Sequence, residues 1–401
     1  AVMNRLEEIG IGLDALVIFK NLRNDKVISA LIRLLENPDA KISEKIKTYR
    51  NFVSELYEEN EDLTAYILQK VFEDENIYIK KRGMNLTCSE EMQRCVVAEL
   101  RLLQDAASLT EEDIAGEFLD EYSGYLPKWQ VSKRDFVTQY AERTSRVSKH
   151  GYGIFARYHM FTLDDNGQVS PVKYPDPVSI SQLVGYENER QKVIDNTKAL
   201  IEGKPAANVL LSGAAGTGKS TTVKAVANAF QADGLRIIEI KKQQIYLIPR
   251  LMDSLCTNPL KFIIFIDDLT FTEEDANFAS MKAILEGSVS ARAKNTVIYA
   301  TSNRRHMVKE TFSARSGDEL HRNDTIQEQI SLSERFGLHI TYSAPNQQLF
   351  LRIVTELCKA EGIDIPEEEL KVKAESYALR KSGRSARAAR QFVDFLHAQQ
   401  K

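Results

Sequence analysis

The stretch Gly213-Ala214-Ala215-Gly216-Thr217-Gly218-Lys219-Ser220 fits the pattern G-x-x-x-x-G-K-[ST] at every fixed position. Residues 208–212 precede it as a predicted short buried strand, and residues 221–232, without glycine or proline, predict a helix. Glycines in such a turn let several backbone N–H groups converge on one phosphate, and the helix adds the positive end of its dipole. The complete motif between these elements predicts a phosphate-binding loop rather than an ordinary glycine-rich turn.

The loop motif also predicts which residues contact a nucleotide. Lys219 can reach the β- and γ-phosphates, and the Ser220 hydroxyl can ligate Mg²⁺. We therefore expect ATP or ADP and Mg²⁺ as cofactors. The expected nucleotide contacts in this stretch are Gly213, Ala214, Ala215, Gly216, Thr217, Gly218, Lys219, Ser220 and Thr221.

Composition argues against several classes of protein. The 401 residues are enough for two or three domains, and 43% hydrophobic with 27% charged residues is ordinary for a soluble globular protein. A net charge of −4 does not indicate a generally basic nucleic-acid-binding protein. The four cysteines form no C-x-x-C pair, which indicates reduced thiols in the cytoplasm. The polar N-terminus predicts no signal peptide, and no apolar run could span a bilayer, so we expect no membrane partner.

Changes of pattern along the chain predict four parts. Apolar side chains recur every three to four residues in the first part, for example between Ser43 and Glu59, which indicates helices. A turn signal at 164–168 predicts a β-hairpin, and the prolines up to Pro177 predict an extended linker. In order, the parts are a helical N-terminal domain (1–125), a connecting segment with the hairpin (126–178), a core around the phosphate loop (179–344) and a helical C-terminal part (345–401).

Within the third part, strands alternate with helices, which predicts a parallel sheet covered on both faces. The predicted strands are 208–212, 235–240, 262–266, 296–301 and 338–342. The third is apolar throughout, as a central parallel strand should be. We therefore predict an α/β fold of the P-loop nucleoside-triphosphatase class with a parallel five-stranded sheet.

Polar side chains follow the third and fourth predicted strands. An acid beside the phosphate loop is where a magnesium-binding group belongs, so Asp267 is expected to hold Mg²⁺ through water. Asp268 would orient or activate the attacking water, and Asn303 could present its amide to that water or to the γ-phosphate. The alternative for the acids is a surface turn, which the preceding apolar strand disfavours. The alternative for Asn303 is an ordinary turn, because Ser-Asn pairs are common turn residues.

The order of these motifs resembles that of the AAA+ ATPases over about residues 180–400. Leu183-Val184-Gly185-Tyr186 looks like the entry segment near the adenine, which adds Gly185 to the nucleotide contacts. Ser333-Glu334-Arg335-Phe336-Gly337 looks like the box that carries an arginine finger, and Gly383-Arg384-Ser385-Ala386-Arg387 looks like sensor 2 on a helical lid. The resemblance implies ATP hydrolysis in a ring-type homo-oligomer. The catalytic residues that it implies are Asp268, Asn303, Arg335 and Arg387.

Three stretches look more narrowly like an uncharacterised bacterial family catalogued as domain of unknown function 815. They are residues 267–271, 299–306 and 383–392. The superfamily's acidic pair usually ends in Glu, whereas this chain has Asp268, whose carboxylate sits about 1.5 Å further back. That difference is compatible with slow hydrolysis or a closer water. Glu273 or Glu274 on the following predicted helix could substitute, but the simpler interpretation is that they favour the dipole in its first turn.

Two of the arginine assignments have an alternative interpretation. Arg384 and Arg387 lie on one helical face, and Arg387 fits the sensor 2 position better, although a solvent-exposed basic helix is the alternative. Arg335 could pair with Glu334 or another local carboxylate instead of acting on a neighbour's nucleotide.

Three functions remain open from the sequence: ATP-driven remodelling of an unknown protein or nucleic-acid client, a nucleotide-gated binding switch with little turnover, and a nucleic-acid loader. No glycine occurs from Leu235 to Lys261, so the threading loop of protein unfoldases is not expected. Basic residues beyond Asn303 could form a phosphate-binding patch, although ordinary solvation is the simpler interpretation. They are Arg304, Arg305, His306, Arg315, His321 and Arg322.

Overall fold

A computed structural model describes residues 4–36, 40–116, 122–270, 276–287, 294–303, 332–381 and 383–399. The chain forms two compact units, which divide between Arg157 and Tyr158. Among the helices in the described ranges, none combines the length and apolar character that crossing a lipid bilayer requires. All four cysteines are free thiols.

The first unit is helical, as the sequence predicts. Its helices are α1 (Arg5–Asp14), α2 (Lys26–Leu35), α3 (Ile42–Glu59), α4 (Leu63–Glu73), α5 (Ile77–Gly83), α6 (Glu90–Ala107), α7 (Glu111–Ala115), α8 (Phe136–Ser145), α9 (Val147–His150) and α10 (Ile154–Arg157). Several begin at a side chain that accepts a hydrogen bond from an otherwise unpaired N–H of the first turn. These capping residues are Asp25, Asp62, Asn76, Ser89 and Thr110.

The core of this unit follows from the helical spacing of its apolar residues. In α3, Tyr49, Phe52, Val53 and Leu56 fall on one face and are buried in a single cluster with residues of the neighbouring helices. A buried carboxylate, Glu99 of α6, accepts the backbone N–H groups of residues 17–19 at 2.6–3.2 Å. This contact supplies acceptors for three donors that no helix or strand satisfies.

The second unit is an α/β domain built on one sheet. Its strands are β1 (Met160–Leu163), β2 (Val169–Pro171), β3 (Val209–Gly213), β4 (Leu235–Ile240), β5 (Lys261–Ile266), β6 (Thr296–Ser302) and β7 (Leu338–Tyr342). Its helices are α11 (Glu187–Ile201), α12 (Lys219–Ala229), α13 (Ile248–Leu255), α14 (Ala276–Leu285), α15 (Gln347–Ala360), α16 (Glu367–Arg380) and α17 (Ala386–Gln399).

The strand order is β2-β1-β4-β5-β6-β3-β7. The five predicted strands are present and parallel, so the predicted fold class is confirmed, but the strand count of five is wrong for the whole sheet. The predicted hairpin supplies the other two strands: β1 pairs antiparallel with β2 and parallel with β4. Without β1, the outer edge of β4 would present unpaired N–H and C=O groups.

This pairing also explains where the unit boundary lies. The sequence places a connecting segment at 126–178 and a boundary near Pro177, whereas the compact units divide between Arg157 and Tyr158. Helices α8 to α10 extend the first unit, and the hairpin belongs to the sheet of the second. The register of β1 against β4, with Met160 opposite Ile237, is a long-range contact that a local pattern does not encode.

The C-terminal helices form a separate apolar cluster. Phe350 and Ile353 of α15, Leu370 of α16, and Phe392 and Val393 of α17 are buried against one another. They are the helices predicted for residues 345–401, called the lid below, and α17 begins beside the phosphate loop.

Candidate functional site

The phosphate loop joins the end of β3 to the first residue of α12. Gly213 has φ +128°, and a Cβ built there would lie 2.0 Å from the carbonyl oxygen of Tyr342. The next residue, Ala214, donates its N–H to that same oxygen at 3.1 Å. Glycine is therefore required at this point for the loop to approach β7.

Lys219, the first residue of α12, is almost wholly buried within the loop. Its Nζ donates to the carbonyl oxygens of Gly213 at 3.2 Å and Ala214 at 2.6 Å. Burial lowers the pKa of this ammonium below its usual range, while the nearby carboxylates of Asp267 and Asp268 act in the opposite direction. The Lys219 ammonium is thus hydrogen-bonded to neutral carbonyl oxygens, which an anionic oxygen could replace.

Two hydroxyl groups converge on one carboxylate oxygen of Asp267. The Oγ of Ser220 donates to Oδ1 at 2.5 Å, and the Oγ1 of Thr301 donates to the same atom at 2.6 Å. Ser220 and Asp267 come from α12 and from the end of β5, so the sheet brings together the two residues predicted to bind Mg²⁺. Hydroxyl and carboxylate oxygens suit that ion.

Asp268 and Asn303 also meet, as expected for residues at the ends of adjacent parallel strands. The Asn303 Nδ2 donates to Asp268 Oδ1 at 2.9 Å. Asp268 has φ +54°, an uncommon backbone conformation for a residue other than glycine. Its N–H donates to the hydroxyl of Thr301 at 2.9 Å, and that N–H together with the Asn303 amide fixes its direction.

Thr301 is a residue whose part in this site the sequence analysis missed. Its hydroxyl accepts from the N–H of Asp268 and donates to the carboxylate of Asp267, so one buried side chain orients both acids. Its position two residues before Asn303, at the end of a strand beside β5, was a signal that could have identified it.

The lid places its two candidate arginines differently. The backbone N–H of Arg387 donates to the carbonyl oxygen of Gly216 at 3.0 Å, so the start of α17 touches the phosphate loop. Arg384 instead pairs with Glu375 of α16, with Nε and Nη2 at 2.9–3.1 Å from its carboxylate oxygens. Only Arg387 of the two is brought to the loop.

The entry segment lies between α11 and the lid. A Cβ at Gly185 would lie 3.0 Å from Leu349, so this glycine permits close packing against α15. Arg190 holds the segment by donating to the carbonyl oxygens of Gly185 and Leu183 at 2.9 and 3.1 Å. A cavity of about 310 Å³ adjoins it, lined by Tyr186, Glu187, Asn188, Glu189, Ser343, Ala344, Asn346 and Leu349.

Arg335 pairs with Glu286, which follows α14, whereas the alternative interpretation named Glu334 or another local carboxylate as its partner. The other predicted nucleotide contacts lie in the loop or directly after it; they are Ala215, Thr217, Gly218 and Thr221. The hydroxyl of Thr217 donates to the carbonyl oxygen of Ala214 at 2.9 Å.

Several candidates named from the sequence fall outside the described residues. They are Glu273, Glu274, Arg304, Arg305, His306, Arg315, His321 and Arg322. Within the described part of the chain, no three His, Cys, Asp or Glu side chains gather as ligands for a metal ion.

Structures of the Thermotoga maritima protein RuvB are among those to which the chain is similar. Two RuvB variants are each 15% identical to it, with TM-scores of 0.36 and 0.38, over 54% and 56% of this chain and 63% and 67% of theirs. A third, described as the RuvB Holliday junction branch migration motor, is 13% identical, with a TM-score of 0.33, over 54% of this chain and 71% of that one. The chain thus spans less than two thirds of the first of these proteins.

No curated protein matches the chain. The profile of a family described as "Protein of unknown function (DUF815)" matches residues 156–400, which is more than half of the sequence. The match covers the whole sheet and the lid, and with them the phosphate loop. The chain belongs to this family, whose description gives no function.

Proposed function

We propose that this protein is a Mg²⁺-dependent AAA+ ATPase that couples ATP binding and hydrolysis to the remodelling of a macromolecular client. The observation that carries the proposal is the meeting of the phosphate loop, the ends of β5 and β6, and the start of the lid helix at one edge of the sheet. Lys219 and Ser220 come from the phosphate loop, and Asp267 from the end of β5. The Asp268–Asn303 pair and the start of the lid helix at Arg387 complete the arrangement.

Binding of the phosphates follows from the loop itself. Its N–H groups and the start of α12 favour an anion, and the buried ammonium of Lys219 would exchange its carbonyl partners for β- and γ-phosphate oxygens. The nucleoside would occupy the cavity beside Gly185. Ser343 lines that cavity and directly follows Tyr342, whose carbonyl oxygen accepts the N–H of Ala214.

The remaining residues fit the hydrolysis step. Mg²⁺ held by Ser220 and, through water, Asp267 would neutralise charge on the phosphate oxygens. Asp268 would orient a water molecule in line with the γ-phosphate, with Asn303 fixing the carboxylate. Arg387 would place its guanidinium on the γ-phosphate from the lid, since its backbone already contacts Gly216.

Arg335 suits a role in a neighbouring subunit. In its own chain it lies against Glu286, whereas the guanidinium is shaped for bidentate phosphate contact. Repeated head-to-tail contacts would close into a ring in which Arg335 completes the adjoining site. An arginine supplied in this way contributes about 10³–10⁵ in rate.

Nucleotide-induced stabilisation of Lys219→Ala tests the proposal most directly. At one hundred times the dissociation constant of Mg-ATP, the parent should gain about 2.7 kcal/mol of unfolding free energy, and the variant should lose most of this gain. Lys224→Ala, on the same helix but paired with Glu239 of β4, is the matched control and should behave as the parent. Equal stabilisation of parent and Lys219→Ala would refute the phosphate-loop assignment.

The two acids should separate by role. Asp267→Ala should weaken the Mg²⁺ dependence of nucleotide binding, whereas Asp268→Asn should bind ATP nearly normally and not hydrolyse it. Equal loss of binding in both variants would contradict the role of Asp268. A binding-competent Asp268→Asn protein would also retain the client in pull-downs.

Mixing variants tests the action of Arg335 on its neighbour. Arg335→Ala should bind ATP normally and hydrolyse it slowly. Adding Lys219→Ala subunits should restore part of the activity, because one mixed interface joins an intact loop to an intact arginine. No recovery in the mixture, with a rate independent of protein concentration, would exclude this arrangement.

One observation favours a second candidate, a nucleotide-gated switch with little turnover. Asp268 carries a shorter side chain than the usual glutamate, and its Oδ1 already accepts from the Asn303 amide. A displaced carboxylate can cost about a hundredfold in rate. Tight ATP binding with turnover near that of Asp268→Asn would favour the switch over the remodelling ATPase.

A further inference from the structure

A specific ion pair restrains Arg335 in its own chain. Its Nε lies 2.9 Å and its Nη2 2.6 Å from the same carboxylate oxygen, Oε1 of Glu286. The two residues are 49 positions apart, so the fold and not the local sequence brings them together. The pair is partly buried, with 26% of the Arg335 side chain and 45% of the Glu286 side chain exposed.

The position of Glu286 explains why it needs a cation. It directly follows the last residue of α14, and its N–H donates to the carbonyl oxygen of Lys282 at 3.0 Å. The C-terminal end of a helix carries partial negative charge, so a carboxylate there is unfavourable unless a positive group lies beside it. The guanidinium of Arg335 supplies that charge.

We propose that Glu286 holds Arg335 in the unassembled chain and competes with the neighbour's phosphate for it. Nε and Nη2 form one paired donor edge of the guanidinium, and both point at Glu286. A phosphate can take that edge only when the carboxylate releases it. Glu286 therefore raises the protein concentration at which Arg335 completes a neighbouring site. This inference rests on the proposed action of Arg335 in trans.

The test compares ATP hydrolysis per subunit across protein concentrations for the parent and Glu286→Gln. The substitution keeps the shape of the side chain and removes its charge. Half-maximal activity should be reached at a two- to fivefold lower protein concentration, the factor expected for a partly exposed ion pair. Glu369→Gln is the matched control, because it breaks a half-exposed pair of 2.6 Å with Lys373 on α16. It should leave the curve unchanged.

Two further variants separate competition from a purely structural effect. Glu286→Ala should shift the curve in the same direction as Glu286→Gln. In an Arg335→Ala background, Glu286→Gln should have no effect, because the competing arginine is gone. A parental or higher midpoint in both Glu286 variants would overturn the inference. If Arg335→Ala itself hydrolyses ATP at the parental rate, the proposed action in trans fails instead.

Discussion

Replacing Thr301 by valine should disturb both acids of the candidate site through one buried oxygen. Valine has nearly the same shape as threonine, but it removes the hydroxyl that accepts from the Asp268 N–H and donates to Asp267 Oδ1. The backbone N–H of Asp268 then faces a methyl group. Thr301→Ser keeps the hydroxyl and is the matched control.

The magnitude follows from the groups left without partners. An unsatisfied, partly buried N–H costs about 1–3 kcal/mol. The lost contact with the solvent-exposed Asp267 adds little, so we expect a total loss of about 2 kcal/mol. For a unit of this size, that corresponds to a fall of about 4–8 °C in Tm. Because Asp268 also loses a contact that fixes its direction, hydrolysis should fall by about a hundredfold.

The assay is thermal unfolding without nucleotide, followed by steady-state hydrolysis of Mg-ATP. Thr301→Ser should stay close to the parent in both measurements. ATP affinity should change little in Thr301→Val, because the phosphate loop is intact. Parental Tm and parental hydrolysis in Thr301→Val would refute the inference that this hydroxyl positions the two acids.

Three further outcomes follow from single contacts. Gly213→Ala should fail to fold stably, because its Cβ would lie 2.0 Å from a backbone oxygen. Gly203 also has a positive φ but has open space around it, so Gly203→Ala should lower the free energy of unfolding in urea by only about 1–2 kcal/mol. Arg387→Ala should weaken ATP binding about tenfold or more by calorimetry, whereas Arg384→Ala, away from the loop, should not. Burial raises the pKa of the Asp74 carboxyl in the folded protein above its ordinary value, so the folded state binds a proton more readily than the unfolded chain. The free energy of unfolding should therefore increase as the pH falls through the folded-state pKa. Asp74→Asn should remove this dependence in unfolding measured between about pH 4 and pH 7.

The parts of the site that the sequence could predict share one property. The loop at 213–220, the acids after β5 and Asn303 after β6 all lie at the C-terminal ends of parallel strands, which meet at one edge of a sheet. Knowing the order of strands and helices is then enough to bring these residues together. The fold class could be predicted for the same reason, since apolar strands alternate with helices.

Contacts between distant segments could not be predicted in this way. Arg335 pairs with Glu286, 49 positions away, which is one of many acids available along the chain. The pairing of β1 with β4 likewise depends on an edge that only the folded sheet presents. Local patterns specify elements, whereas the choice among equivalent partners is made by packing.

Asp268 shows why a substitution within a motif cannot be interpreted from side-chain length alone. Compared with glutamate, its carboxylate should sit about 1.5 Å further back, which suggests a poorer site. Yet the residue has φ +54°, so its Cα–Cβ bond leaves the chain in a direction that an extended residue would not give. In that direction, the short side chain meets the Asn303 amide at 2.9 Å. A glutamate on the same backbone would carry its carboxylate past that amide. Asp268→Glu should therefore break the pair with Asn303 rather than improve the site, and hydrolysis above the parental rate in that variant would contradict this reasoning.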